Sequence, residues 1–326
     1  MPKISIITPC YNSAHFVART IESVRSQTFQ DWEHVVVDDG SADASAEVIE
    51  SCLARDSRLK LVRQPNGGVC QARNRGFAAC SPDTQYICFL DADDCPEPDM
   101  LATLAAYLDK HSEIGLAYCD YRYVDSGDAP LPTPYHARCV PAGLGLRKLP
   151  RTEALTPFSS VFCGAPVLPS ASLIRRSVYE QSPGWDEKFG QHHEELDLFL
   201  NFALLSEIHF VPQTLLRYRQ HAAQSTKNPA LFGVQQKKLD AKWTGKSGLT
   251  AEQQSVVEAA RAFRDGRMTP YAGLLAGTRH LRRREPAQAA RFYLGAVRRY
   301  VRGCFAGPVI PHSAGQRQTN QPFSDN

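Results

Sequence analysis

Three carboxylates stand within four positions in Asp91-Ala92-Asp93-Asp94, directly after the apolar run Ile87-Cys88-Phe89-Leu90. Carboxylate oxygens are hard donors, the ligands that Mg²⁺ and Mn²⁺ prefer together with phosphate oxygens. Just past the end of a strand, Asp91 and Asp93 could divide two tasks, one reaching a ribose and the other a metal ion on a diphosphate. A lone Asp-x-Asp says little, because acidic turns after strands are common. Here the third carboxylate, the apolar lead-in and the following Pro96 and Pro98 strengthen it. Three clustered carboxylates also repel one another unless a cation compensates them.

Two further constellations carry chemistry. In Asp38-Asp39-Gly40-Ser41 a strand-end carboxylate could accept a hydrogen bond from the imide N–H of a uracil base. An Asx-turn or helix cap is the competing role, and Asp38 or Ser41 can fill it without displacing Asp39. Tyr11 is a candidate to stack on the base, and Arg73, after the turn Asn66-Gly67-Gly68, could contact base or phosphate or simply line a helix surface. Glu194-Glu195-Leu196-Asp197 could supply the carboxylate that takes a proton from an attacking hydroxyl. Acidic residues in a first helical turn also interact favourably with the helix dipole. His221, in Arg217-Tyr218-Arg219-Gln220-His221, could approach a metal or pyrophosphate, though a lone histidine is more often structural.

The elements that must position these groups follow from the hydrophobic pattern. Ile4–Thr8, Trp32–Val37, Leu59–Arg63 and Tyr86–Leu90 read as strands, the first as a β-branched run ending at Pro9. Helical spacing separates them: Phe16, Thr20, Ile21 and Val24, then about Ala44–Arg55, then Val69–Cys80. This alternation implies a doubly wound, mostly parallel sheet with helices on both faces. In such a sheet ligands bind beyond the carboxyl ends of the strands. Thr8–Asn12, Asp38–Ser41 and Asp91–Asp94 therefore converge on one edge. Further along, Met100–Lys110 reads as a helix, Gly115–Val124 as a strand and Asp125–Pro157 as a long surface excursion rich in Pro and Gly. Pro166–Ile174, a helix from Arg175 to Gln181 and a helix over His193–Leu205 follow. From Pro229 the pattern is helical, through Val256–Phe263, Tyr271–Leu281 and Ala287–Val301. The expected division is a catalytic domain over 1–228, a helical extension over 229–309 and a disordered tail over 310–326.

A net charge of +3 gives no argument for a nucleic-acid partner. The basic charge gathers late, at Arg279, Arg282, Arg283, Arg284, Arg291, Arg298, Arg299 and Arg302. A solvated helical surface explains it, with contact to anionic lipid headgroups as the alternative. The ten cysteines are scattered without a metal or disulfide spacing, and Cys88 and Cys119 sit in apolar runs where a thiol packs as a small hydrophobe. The N-terminus lacks a signal-peptide core, and no window reaches the ~18 apolar residues of a membrane span. The expectation is a reduced, cytoplasmic protein, peripheral at most to the inner face of a membrane.

As an ordered set these motifs resemble the family 2 glycosyltransferases of the GT-A fold. The resemblance lies in Ser5–Asn12, Ser23-Val24-Arg25-Ser26-Gln27-Thr28, Val36–Asp43, Asn66-Gly67-Gly68 through Ala72–Gly76, and Phe89–Asp94. It is dense over residues 3–125 and looser over about 160–225. It implies a donor-binding set of Thr8, Pro9, Tyr11, Asp39, Arg73, Asp91 and Ala92, with Asp39 on the base and Asp91 on the ribose. Asp93 would bind Mn²⁺ or Mg²⁺, with Asp94 and His221 as further candidates, since Tyr218-Arg219-Gln220-His221 matches the family's Tyr-Arg-x-His. The family's later acidic pair reads Glu-Asp, its second member being the catalytic base. Here the pair is Glu194-Glu195, so Glu195 would be the base, one methylene longer, with Glu194 in support. The implied reaction is an inverting single displacement from a nucleoside-diphosphate sugar, UDP-linked by expectation, onto a hydroxyl of a glycan or lipid-linked acceptor in cell-surface polysaccharide synthesis. The helical extension would serve as a lid, a homo-oligomer contact or a membrane-surface anchor. Two other readings stay open: a sugar nucleotidyltransferase, disfavoured because no Gly-rich phosphate loop follows the first strand, and a sugar-nucleotide-binding protein without catalysis.

Overall fold

The β-branched runs of the N-terminal part pair side by side as parallel strands. β1 (Ile4–Cys10) lies between β2 (Trp32–Asp38) and β4 (Tyr86–Phe89), and β3 (Leu59–Arg63) flanks β2. Between them run α1 (Val17–Arg25), α2 (Ser45–Leu53) and α3 (Val69–Ala79). Successive side chains of β1 serve opposite faces. Cys10 packs with Val36, Val17, Ile21 and Ile49 on the side of α1 and α2. Ile7 and Val37 face α3, which approaches so closely that a Cβ on Gly76 would lie 2.4 Å from an Ile7 methyl. Burial on both faces is what makes these strands near-continuously apolar. Each fully buried Ile or Val contributes about 1.5–3 kcal/mol relative to exposure.

This computed structural model describes residues 2–132, 139–142, 145–148, 155–162, 167–190, 192–222, 224 and 229–263, with the single positions 290 and 294. Beyond β4 come β5 (Cys95–Pro96), α4 (Met100–Lys110), β6 (Ile114–Val124), β7 (Cys139–Ala142), β8 (Gly145–Lys148), α5 (Phe158–Phe162), β9 (Ser172–Arg175), α6 (Arg176–Gln181), α7 (Glu194–Leu205), β10 (Glu207–Arg219), α8 (Pro229–Thr244) and α9 (Ala251–Phe263). The main sheet runs β3-β2-β1-β4-β9-β6-β10-β5. β9 is antiparallel to β4 and β6, β5 is antiparallel to β10, and every other pairing is parallel. The mostly parallel α/β sheet expected from the sequence is the architecture found.

Several elements were not expected, α5 among them. β10 is a thirteen-residue strand paired in parallel with β6, with register shifts around Val211–Leu216. β5 is a two-residue strand directly after the acidic cluster. Within the excursion Asp125–Pro157, β7 and β8 form a two-stranded sheet of their own. Contacts also group the chain differently at the C-terminal side. Met1–Pro141 and Gly145–Lys246 form one unit, so α8 belongs to it, while Ala142–Leu144 and Ser247–Asn326 form another. The helix expected at Tyr271–Leu281, the late arginines, the 310–326 tail and, apart from the helical positions Ala290 and Leu294, the helix expected at Ala287–Val301 lie outside the described residues. Cys10, Cys70, Cys80, Cys88, Cys95 and Cys119 are buried free thiols, as the apolar setting of Cys88 and Cys119 implied.

Candidate active site

In-register pairing brings the carboxyl ends of the first strands to one edge. Cys10 pairs with Asp38, Asp38 with Arg63, and Ile7 with Phe89. The loops that leave β1 and β2 are laced together: Asn12 N–H donates to Ser41 Oγ at 3.0 Å, Ala42 N–H to Asn12 Oδ1 at 2.8 Å, and Ala14 N–H to Asp43 Oδ2 at 3.1 Å. Asp38 makes the Asx-type contact foreseen for it, accepting from Ser41 N–H at 3.2 Å. Asp39 has another task. Its Oδ1 accepts from Gln64 Nε2 and Gly67 N–H, both at 2.8 Å, and its Oδ2 from Gly68 N–H at 2.9 Å. A carboxylate offers about four acceptor sites, so roughly one remains for a base N–H. Gly40, at φ +71°, lets the chain turn beneath this loop, where a Cβ would lie 2.7 Å from Asn66 N.

Tyr11 is half exposed at the end of β1, free of the core and open to a stacking partner. Thr8 does not reach the edge through its side chain. It is fully buried, and its hydroxyl lies 2.8 Å from His34 Nε2. Burial pushes the His34 imidazole down to about 3, so the ring is neutral and the pair is an interior hydrogen bond. Pro9 is partly buried in register with Val37, and Ala92 is buried, its carbonyl accepting from Thr20 Oγ1 at 2.8 Å.

The acidic cluster is anchored from β10. Arg219 is fully buried; its backbone N–H donates to Asp94 Oδ1 at 3.1 Å, and its Nε to the Asp93 carbonyl at 2.9 Å. The same guanidinium reaches the Asp125 carbonyl at 3.1 Å and Asp128 Oδ1 at 2.7 Å, tying the start of the excursion to the acidic loop. Two residues on, His221 Nε2 lies 2.8 Å from Asp93 Oδ2, with Phe16 against its ring at 4.6 Å. Asp94 is buried, and its Oδ2 finds no hydrogen bond. Burial first, then the charges of Asp93 and Asp91, raise its pKa well above the usual carboxylate range. The hydroxyl of Tyr218 is likewise pushed up by burial and by the charges of Asp94, Asp91 and Asp93.

α7 opens with the second acidic pair. Its entry is strained: His192 and His193 lie at φ 74° and 67°, left-handed values that cost non-glycine residues about 1 kcal/mol or more each. Glu194 is buried and Glu195 is partly exposed. Arg73, 3% exposed, bridges the two acidic regions: Nη2 donates to Asp91 Oδ1 at 2.7 Å and Nη1 to Glu194 Oε1 at 3.4 Å. Its guanidinium lies over the Trp185 ring at 4.1 Å. Burial opposes the charge of Arg73, but Asp91 and Glu194 prevail and raise its pKa. Burial and the neighbouring Glu195 raise that of Glu194, whose Oε2 accepts no hydrogen bond. The sequence suggested a donor contact for Arg73, but neither this bridge nor Arg219 as the anchor of the loop. The position of Arg219 between Tyr218 and His221 was the available signal.

Asp93 and His221 fit a divalent cation. Two ligands at about 2.1 Å in adjacent positions of an octahedron stand about 3 Å apart, close to the 2.8 Å found. An oxygen with an imidazole nitrogen suits Mn²⁺. Among the described residues no group of three His, Cys, Asp or Glu side chains is arranged to hold an ion. Asp94 points its acceptors into the interior.

Residues 5–181 match glycosyl transferase family 2. The chain belongs to that family. Among relatives, GlyG, a glycosyltransferase of Streptococcus pneumoniae serotype 4, is 27% identical over 222 residues, covering 67% of this chain and 71% of GlyG. EpsH of Bacillus subtilis is 35% identical over 132 residues, 39% of this chain. That match spans only 36% of the length of EpsH. The crystal structure of S. aureus TarS 1–349 superposes with a TM-score of 0.62 at 15% identity, covering 91% of each chain. A second TarS structure, in complex with UDP-GlcNAc, gives 0.58 at 14% identity. At such identities the likeness is one of fold, and it places this family 2 chain on the GT-A architecture.

Proposed function

We propose that this chain is a metal-dependent, inverting glycosyltransferase that moves a sugar from a nucleoside-diphosphate sugar, a UDP-sugar by preference, to a hydroxyl of a glycan or lipid-linked acceptor. The observation that carries the reading is the Arg73 bridge, which joins Asp91 to Glu194 and so makes one site of two acidic motifs distant in sequence. In this site Tyr11 stacks on the base, the last acceptor position of Asp39 takes the base N–H, and Asp91 faces the ribose. Asp93 and His221 would hold Mn²⁺ or Mg²⁺, which when bound neutralises the charge of the leaving diphosphate. Glu195, the more accessible of its pair, accepts the proton of the acceptor hydroxyl as that oxygen attacks the anomeric carbon. Glu194, held by Arg73, fixes the start of the helix beside it. One displacement inverts the anomeric centre.

Relatives of this chain include a chondroitin synthase of Pasteurella multocida, 32% identical over 125 residues, and the O-antigen biosynthesis protein RfbC of Myxococcus xanthus, 35% identical over 128. Those names support polysaccharide assembly as the setting. No helix among the described residues is long and apolar enough to cross a membrane. A lipid-linked acceptor and the basic C-terminal run would place the reaction at the inner membrane face.

Calorimetry of UDP with the full chain tests the assignment. Binding should require Mn²⁺ or Mg²⁺ and vanish in Asp93→Ala while the protein stays folded; unchanged affinity in that variant sinks the metal role. Release of UDP from a UDP-sugar, lost in Glu195→Gln, separates an enzyme from a binding protein.

A further inference from the structure

We infer that Lys242 and Trp243 of α8 are positioning residues for the acidic pair Glu194–Glu195. This inference rests on the reading of Glu195 as the base. α8 lies beyond residues 5–181, the part that matches the family, so nothing in that match assigns it a role.

Three polar contacts join α8, with Lys246 just past its end, to α7. Asp197, three residues after Glu194 and therefore one turn along the helix, is 1% exposed, and α8 occupies both its oxygens. Trp243 Nε1 donates to Oδ1 at 2.9 Å, and Lys242 Nζ to Oδ2 at 2.7 Å. One turn further, Lys246 Nζ reaches Asn201 Oδ1 at 3.0 Å. The Trp243 ring is fully buried against Phe158 and Phe162 of α5, at 5.8 and 6.4 Å between ring centres.

Lys242 makes a second bond, to Asp186 Oδ2 at 2.7 Å. Asp186 follows Trp185, the ring on which Arg73 lies, and Asn74 of α3 pins Trp185 through its backbone N–H and C=O at 3.2 and 2.9 Å. The contacts thus close a ring: Asp91 to Arg73, Arg73 to Glu194, along α7 to Asp197, across to Lys242, back through Asp186 to Trp185, and onto Arg73. The ring closes on Arg73, with Asp91 attached to it from outside.

Plain packing would not need this chemistry. A buried carboxylate is costly unless its partners are well placed, and an apolar contact of equal volume often does as well. The ionic contact is directional, and it lands one turn from the pair on a helix whose entry is strained at His192 and His193. A rotation of α7 about its axis would displace the Glu195 carboxylate. Misplacement by about 1 Å can cost ~100-fold in rate. Holding Asp197 from α8 blocks the rotation.

The test uses the full chain with Lys242→Met, Trp243→Phe, Lys242→Arg and the double variant Lys242→Met/Asp197→Asn. The double variant leaves no unpaired ion at position 197, and Asp186 keeps access to solvent, so it should fold even where the single change does not. UDP release is followed with Mn²⁺ on whichever of UDP-N-acetylglucosamine, UDP-glucose and UDP-galactose turns over fastest. Hydrogen exchange of α7 amides is measured alongside. The expected result is a kcat lower by about 10- to 100-fold in the double variant, with donor KM and UDP affinity within about twofold. Lys242→Arg should keep most of kcat, Trp243→Phe should fall between, and exchange should quicken in the first turns of α7 but not in β1 or β2. Unchanged kcat with unchanged α7 exchange overturns the inference, as does a loss of kcat matched by an equal loss of donor affinity. If the unmodified chain turns over none of these donors, the glycosyl-transfer reading fails on its own, and the exchange comparison still decides whether α8 braces α7.

Discussion

The two sides of the site treat their carboxylates in opposite ways. Along the ends of β1 to β3, Asp38, Asp39 and Asp43 are supplied with N–H and O–H donors, and Asp39 alone takes three. Across the site, Asp91, Asp93, Asp94, Glu194 and Glu195 crowd like charges together, and Asp94 Oδ2 and Glu194 Oε2 are buried without a hydrogen bond. The first arrangement holds a loop in shape, with one acceptor position of Asp39 to spare. The second is electrostatically incomplete: its charges are compensated in part by Arg73, and a cation beside Asp93 and His221 would supply more. On the proposed reading, the well-supplied carboxylates would shape the seat of the nucleotide and the crowded ones would serve the chemistry.

That contrast can be broken at four points. Glu195→Gln should lower UDP-sugar turnover by about 10²–10⁴-fold, the usual worth of a general base, with little change in UDP affinity; turnover within tenfold of the parent would move the base elsewhere. Asp39→Ala should destabilise the fold by about 3 kcal/mol, since it strands two backbone N–H groups and the Gln64 amide. A urea midpoint unchanged by that substitution would show the loop to be held otherwise. Glu194→Gln should act in the opposite direction.

The pKa values of Glu194 and Asp94 are raised above those of the unfolded chain, so the folded form binds these protons more tightly. Their contribution to stability is full below the ordinary carboxylate range and is lost as pH rises through the raised values. Without added metal, the melting temperature should therefore climb as pH falls from neutral towards about 5. Asp56, held at about 2 first of all by the Arg58 hydrogen bond, loses its own contribution only at more acidic pH. Glu194→Gln should flatten the climb and raise the neutral melting temperature by about 2–4 °C; an unaltered slope would remove Glu194 from the account. Asp38→Ala, which loses one 3.2 Å contact to Ser41, should cost no more than about 1 kcal/mol and leave turnover intact.

Much of this was legible in the residues. β1 to β4 announced themselves because burial on both faces writes a continuous apolar run. β10 did not, because Glu207–Arg219 contains Pro212 and Gln213 and breaks register with β6 around Val211–Leu216, which erases any period of two. The convergence of Asp38–Ser41 and Asp91–Asp94 could be read, since parallel strands end together. Which way a side chain turns could not: Thr8 belongs to the edge motif by position yet bonds His34 inside. Arg73 and Arg219 carry tertiary information that local pattern cannot hold, for their partners come from α7, the acidic loop and the root of the excursion.

The buried thiols give the molecule an internal clock. Desolvation pushes Cys10, Cys70, Cys80 and Cys88 up to about 12, which leaves almost no thiolate at neutral pH. An alkylating reagent can therefore reach them only when the surrounding segment opens. Cys10 sits at the end of β1, Cys70 donates to the Phe189 carbonyl beneath the start of α3, and Cys95 touches Arg219 beside the acidic loop. Their separate labelling rates would time the breathing of the end of β1, the Arg73 bridge and the acidic loop one by one.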